Sequence, residues 1–113
     1  MNIQGLYAAV YVRDIAAASA FYAKLLGRQP DDRPMDTLVQ WRGFGNAGIQ
    51  LFLDESKAGR GVMTIVVPNM EATGALLAAQ VIDIGAVLEG VFGKIAHVTD
   101  PDGNVINLAE PPR

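Results

Sequence analysis

The sequence predicts an α+β fold: two βαβββ modules whose strands form a curved mixed sheet around a cleft, with the helices outside. Apolar strand patterns, one capped helix in each half and an internal repeat support this prediction. Strand-to-helix junctions fall at Asp14 and Asn69, and single amides interrupt two apolar strands at Gln50 and Asn107. The distance along the chain from one junction to the other nearly equals the distance from one amide to the other, as a repeat requires. The domain is therefore expected to contain module 1 at about 1–55 and module 2 at about 62–113.

The first module begins with a buried strand and a capped helix. Residues 6–12 are apolar and rich in β-branched and aromatic side chains, which is typical of a strand. Asp14 is a suitable N-cap, and Gly27 is suited to end the helix in the left-handed conformation. Residues 29–34 are polar and bounded by proline, so they form a loop or a short edge strand. The helix is indicated by apolar residues at helical period: Ile15, Ala18, Phe21, Tyr22, Leu25 and Leu26.

Two strands, at 37–41 and 48–53, complete the first module around a glycine-rich turn. The turn, at 43–48, matches the G-x-G-x-x-G pattern of dinucleotide-binding proteins. That pattern requires a helix to follow it, whereas a strand pattern follows here, so a hairpin is predicted. A short polar linker at 56–61 leads to the second module.

The second module repeats this order. Its predicted strands are 62–67, 86–92, 94–98 and 105–109, and its predicted helix is 70–81. Asp100, Asp102 and Asn104 resemble the start of a calcium loop, but the glycine is two positions early and the final glutamate is missing. A proline-aspartate-glycine turn is the better interpretation.

Composition excludes several classes of function. The 113 residues carry a net charge of −3, which argues against nucleic acid or an anionic membrane as the main partner. No apolar run approaches the roughly 18 residues needed to cross a bilayer, and no signal-peptide pattern is present, so a cytoplasmic location is expected. The sequence has no cysteine, which excludes disulfides and thiolate chemistry.

Few residues carry an obvious catalytic signature. His97 is the single histidine, and a general base at this position is possible, although an ordinary strand histidine is the favoured interpretation. The acidic pairs Asp31-Asp32 and Asp54-Glu55 fall in predicted loops, where solvated side chains are expected.

Several motifs resemble those of the vicinal oxygen chelate superfamily, which includes glyoxalase I, extradiol dioxygenases, and the fosfomycin and bleomycin resistance proteins. They are Val12-Arg13-Asp14-Ile15, Phe21-Tyr22, Leu25-Leu26-Gly27 and the Asp100-Pro101-Asp102-Gly103-Asn104 turn before a final strand. The resemblance spans nearly the whole chain. It implies paired modules, a homodimer and, in the enzymes, four side chains that chelate a divalent metal.

The four implied metal positions are Tyr7, Gln50, Val62 and Asn107. Neutral amides bring no negative charge to a dication, and valine has no lone pair to donate. The sequence therefore predicts no metal and no other cofactor.

A small-molecule pocket is the favoured use of the cleft. Strand alternation predicts that Tyr11 and Phe52 face the cleft together with the four implied metal positions. Trp41 and His97 lie on neighbouring strands and are further candidates for its lining. The alternative is that the aromatic side chains simply fill the cleft.

These features predict metal-independent binding of a small aromatic or amphipathic molecule, similar to bleomycin-type resistance proteins. The first alternative is a glyoxalase-like lyase or isomerase that uses a displaced metal site or His97 and Tyr7 as acid-base groups. The second alternative is a non-catalytic interaction domain. The sequence does not decide between an enzyme and a binding protein, and it does not identify the ligand.

Overall fold

The computed structural model describes residues 1–113 and contains two βαβββ modules. The first module consists of β1 (Leu6–Val12), α1 (Ile15–Leu26), β2 (Asp32–Met35), β3 (Leu38–Phe44) and β4 (Ala47–Leu53). The second consists of β5 (Val62–Val66), α2 (Met70–Ala79), β6 (Leu88–Gly90), β7 (Gly93–Thr99) and β8 (Val105–Glu110). The predicted α+β class and the internal repeat are confirmed.

Each module forms its own four-stranded mixed sheet. The strand orders are β1-β4-β3-β2 and β5-β8-β7-β6. In each sheet the first strand pairs in parallel with the last strand, and the other pairs are antiparallel. The two sheets approach each other at β1 and β5, where Val10 lies close to Gly61.

Helix α1 begins and ends as the sequence predicts. The Asp14 carboxylate accepts the backbone N–H groups of Ala16 and Ala17, both at 3.0 Å. Gly27 ends the helix with φ 78°, the left-handed conformation that glycine adopts without a Cβ penalty. Helix α1 therefore packs on its sheet with both ends fixed.

Helix α2 begins as predicted but is shorter than the predicted range 70–81. The Asn69 side chain accepts the N–H of Ala72 at 2.8 Å, and the buried Glu110 carboxylate accepts the N–H of Met70 at 2.7 Å. The helix ends at Ala79 because Val81 adopts φ 61°, a left-handed conformation that interrupts helical hydrogen bonding. No helix in the chain is long and apolar enough to cross a membrane.

The two modules share one hydrophobic core. Tyr22 and Trp41 have no exposed surface, and their ring centroids lie 6.3 Å apart between α1 and the first sheet. The same cluster continues into the second module through Met63, Ile106 and Leu108. Burial of this apolar surface is the main source of stability.

The Asp100 turn, which we define as residues 100–104, is a tight turn as predicted. The Asp100 Oδ1 atom accepts the backbone N–H groups of Asp102 and Asn104, both at 2.9 Å. The Oδ2 atom accepts the Tyr22 hydroxyl at 2.8 Å and the Asn104 side-chain amide at 2.9 Å. Burial and the adjacent Asp100 carboxylate raise the pKa of the Tyr22 phenol.

The same turn also contacts the first module and the linker. Asn104 Oδ1 accepts the Gly61 N–H at 2.8 Å, and Asn104 Nδ2 donates to the Tyr11 carbonyl at 2.9 Å. The Arg13 N–H donates to Asp102 Oδ1 at 3.0 Å. The turn therefore connects β7 and β8 to the end of β1, to α1 and to the linker.

Tyr22→Phe should destabilise the protein by about 1.5–3 kcal/mol, because it removes a buried hydrogen bond to a carboxylate that remains buried. Urea unfolding followed by circular dichroism measures this change. Tyr7→Phe is the matched control: Tyr7 is 43% exposed, and its variant should stay within about 0.5 kcal/mol of the wild type. Equal stability of both variants would contradict the structural role of the Tyr22–Asp100 bond.

Candidate functional site

Each sheet has one face against the hydrophobic core and one open face. On β1, Val10 and Val12 are buried, whereas Tyr7 and Ala9 are exposed and Tyr11 is half-buried. On the second sheet, Val62 and Val66 are both 66% exposed. Because side chains alternate along a strand, the open faces carry the residues that the sequence assigns to the cleft.

A row of one alanine and two glutamines crosses the open face of the first sheet. Ala9, Gln50 and Gln40 are cross-strand neighbours on β1, β4 and β3. Gln50 Nε2 donates to Gln40 Oε1 at 3.1 Å. We refer to these three residues as the Gln50 row.

Aromatic side chains lie on both sides of the Gln50 row. The Tyr11 and Phe52 rings form a tilted pair with centroids 5.9 Å apart, and the Lys57 ammonium lies 5.0 Å from the Tyr11 ring centroid. On the other side the Tyr7 ring lies over Gly48, where an added Cβ would come within 2.5 Å of it. Glycine at position 48 therefore leaves room for the phenol to lie across the sheet.

The second sheet has an equivalent row. Thr64, Asn107 and His97 are cross-strand neighbours on β5, β8 and β7, and we refer to them as the His97 row. Asn107 Oδ1 lies 2.7 Å from His97 Nδ1, and Asn107 Nδ2 donates to Thr64 Oγ1 at 3.4 Å. An amide oxygen only accepts hydrogen bonds, so His97 Nδ1 must carry the proton that it shares with Asn107.

The two rows explain the amides that interrupt apolar strands. Each amide is the middle member of its row and bonds to the side chain on the antiparallel neighbour. Gln40 was not among the residues predicted from sequence, although its offset from His97 along the chain equals the offset of Gln50 from Asn107. This equal offset is the sequence signal that identifies Gln40 as the counterpart of His97 in the first module.

Trp41 does not lie with the other predicted site residues. Its side chain is fully buried against α1, and its indole Nε1–H donates to the Arg28 carbonyl at 3.0 Å. It neighbours Gln40 along β3 and therefore points to the opposite face of the sheet. The structure places it in the core, whereas His97 lies exposed on the open face.

An apolar cavity of about 680 Å³ lies where β1 and β4 meet β5, and we call it the inter-strand cavity. Ten of its twelve lining residues are hydrophobic. Tyr7 and Thr64, whose side chains lie on the open faces, are also among its lining residues. The apolar lining includes Leu6, Leu26, Phe44, Ile49, Met63 and Ile65.

The four implied metal positions do not form a donor set that fits a divalent cation. Val62 has no donor atom, and Gln50 and Asn107 offer neutral amides. The Asn107 carbonyl oxygen already accepts the bond from His97. The chain contains no cluster of three or more histidine, aspartate or glutamate side chains arranged to hold a metal.

Comparison with known proteins identifies the family. The model of the Glyoxalase/Bleomycin resistance protein/Dioxygenase superfamily matches residues 6–108. The chain belongs to this superfamily, as the sequence motifs indicated. Among curated proteins, none matches the sequence significantly.

Solved structures share the whole fold. A glyoxalase/bleomycin resistance protein from Catenulispora acidiphila DSM 44928 is 27% identical, with a TM-score of 0.87 over 96% of this chain and 98% of that one. TnmS3, an antibiotic binding protein from Streptomyces sp. CB03234, is 24% identical, with a TM-score of 0.81 over 99% and 97%. A lactoylglutathione lyase from Agrobacterium tumefaciens is 20% identical, with a TM-score of 0.75 over 93% and 91%. The likenesses to TnmS3 and to the lyase concern the fold alone.

Proposed function

We propose that this protein binds a small, mainly apolar molecule in the inter-strand cavity, without a metal or other cofactor, and so sequesters it. The observation that carries this proposal is the cavity itself, with about 680 Å³ of space and ten hydrophobic lining residues. Pockets for small ligands have volumes of roughly 300–1,000 Å³, are mostly apolar and hold a few polar groups. The superfamily includes bleomycin resistance proteins, and TnmS3, of similar fold, is an antibiotic binding protein.

Apolar contact supplies the affinity in this proposal. Burial of a ligand surface contributes about 25 cal/mol per Å² before the entropy of ordering the ligand is subtracted. The rigid strands that line the cavity keep that ordering cost small on the protein side. Sequestration requires no reaction at the site.

Polar side chains would orient the ligand. Tyr7 and Thr64 are lining residues of the cavity whose hydroxyl-bearing side chains lie on the open faces, and the His97 row begins at Thr64. We propose that a larger ligand extends over the open faces and contacts the remaining predicted residues there: Tyr11, Gln50, Phe52, Val62, His97 and Asn107.

Small aromatic compounds should raise the melting temperature of the protein by several degrees at saturating concentration, because a ligand that binds only the folded state stabilises it. A thermal-shift screen of polycyclic aromatic compounds measures this effect. Ala8→Trp should abolish the shift, since Ala8 lines the cavity and an indole would occupy it.

Ala17→Trp is the matched control for this screen. Ala17 is exposed on α1 and is not a lining residue of the inter-strand cavity, so its variant should keep the full shift. A compound that binds both variants as tightly as the wild type would place its site elsewhere and contradict the proposal.

Purified protein should contain well under one equivalent of zinc, nickel, manganese or iron after dialysis, as measured by elemental analysis. The triple variant Gln50→Glu/Val62→His/Asn107→Glu restores charged and nitrogen donors and should gain zinc binding. One retained equivalent of metal in the wild type would instead favour the glyoxalase-like lyase.

Acid-base catalysis by a glyoxalase-like lyase is the second candidate function. The feature that favours it is His97, which is exposed and has a hydrogen bond at only one ring nitrogen.

A homodimer is also proposed, because apolar side chains on β1 and β5 stay exposed in the single chain: Leu6 at 72% and Val62 at 66%. Analytical ultracentrifugation should show a dimer for the wild type and a monomer for Val62→Lys. Val91→Lys, at an apolar position that is 97% exposed on the β6–β7 turn, should remain dimeric. A monomeric wild type at tens of micromolar would refute this assembly.

A further inference from the structure

The hydrogen bonds of the His97 row run in one direction. His97 Nδ1 donates to Asn107 Oδ1, since that oxygen only accepts, and the separation is 2.7 Å. The carbonyl oxygen of the amide is thereby fixed toward β7. The amide nitrogen consequently faces β5, where Asn107 Nδ2 donates to Thr64 Oγ1 at 3.4 Å.

This direction determines what Thr64 offers to a ligand. A hydroxyl oxygen that accepts a hydrogen bond from Asn107 keeps its own O–H free to donate elsewhere. Thr64 is a lining residue of the inter-strand cavity and its side chain lies on the open face, so the free O–H is available to a ligand that extends from the cavity over this face. With the opposite histidine tautomer the Asn107 amide would be turned around and would accept the Thr64 O–H, so Thr64 would offer a ligand only an acceptor.

We propose that Thr64 is a hydrogen-bond donor to the ligand, and that the ligand is an apolar molecule with an acceptor such as a ketone or quinone oxygen. In this arrangement His97 and Asn107 are positioning residues that act through Thr64. The inference rests on the proposed binding function and specifies the class of ligand. It also gives the asparagine at an implied metal position a role that a carboxylate could not fill, because a carboxylate has no N–H to donate.

Apolar flanks make the Thr64 donor selective. Val62 and Val66 flank Thr64 on the same face of β5. A carbonyl oxygen placed between these flanks would lose its hydration and would need the Thr64 O–H to replace it. A molecule of the same shape without the oxygen would gain only the apolar contacts.

Two probes of nearly equal size separate these cases: 2-acetylnaphthalene, which carries a ketone acceptor, and 2-ethylnaphthalene, which does not. Calorimetric titration of the wild type should show a preference for the ketone of about three- to tenfold, the usual range for one net hydrogen bond. Thr64→Val should remove this preference without weakening the binding of 2-ethylnaphthalene. Thr64→Ser, which keeps the hydroxyl, should retain it.

Variants of Asn107 and the ring of His97 test the positioning role. Asn107→Asp should remove the ketone preference although Thr64 is intact, because the carboxylate would accept the Thr64 O–H.

Two-bond ¹H–¹⁵N correlation spectra of the untagged protein report a single ring, since the chain has one histidine. The neutral ring should be protonated at Nδ1 in the wild type and should lose that preference in Asn107→Ala.

The outcomes distinguish this inference from the function on which it rests. If neither naphthalene binds, the binding function and the donor assignment both fail. If both bind equally well to the wild type, the cavity is a binding site but Thr64 is not a selective donor. A neutral ring protonated at Nε2 would overturn the positioning role of His97.

Discussion

The arrangement of the two modules depends on the hydrogen bonds that the buried Asp100 carboxylate accepts. Its four hydrogen bonds come from within its own turn and from Tyr22 on the first helix. Asn104, which the carboxylate holds in place, bonds in turn to the Tyr11 carbonyl and the Gly61 N–H. A carboxylate buried this deeply is stable only when its acceptor sites are satisfied, so the turn, the helix and the first strand must be in their native positions together.

That constraint also positions the candidate site. The Asp100 turn fixes the end of β1 beside the linker that leads to β5, and the inter-strand cavity lies along the same two strands. Displacement of the modules relative to each other would change the width of the cavity. The buried Tyr22 hydroxyl is therefore relevant to binding, although it lies on the core side of the sheet.

Much of this could be predicted from the sequence, because the signals were local. Asp14 and Gly27 marked the helix ends through their side-chain and backbone preferences, and the matched spacing of the amides and of the helix caps identified the repeat. The open-face placement of Tyr7 and Gln50 followed from strand alternation. Trp41 was uncertain for a physical reason: an aromatic residue suits either face of a sheet, and only its packing on Tyr22 decides between them.

Other features depended on non-local contacts. The end of α2 is determined by the left-handed backbone at Val81, which β-branched residues rarely adopt and which no residue preference indicates. The direction of the His97 row requires the register of three strands that are distant in sequence. The inter-strand cavity arises from the contact between modules, so the sequence could indicate the chemistry of its lining but not its size.

The interior position of β8 has a consequence for the order in which the second module folds. This strand lies between β5 and β7, although it follows both of them in the chain. Until β8 inserts, β5 has no parallel partner and the Asp100 turn, which leads into β8, cannot close. The second sheet is therefore completed by a non-local pairing, which forms only after the rest of the module is in place.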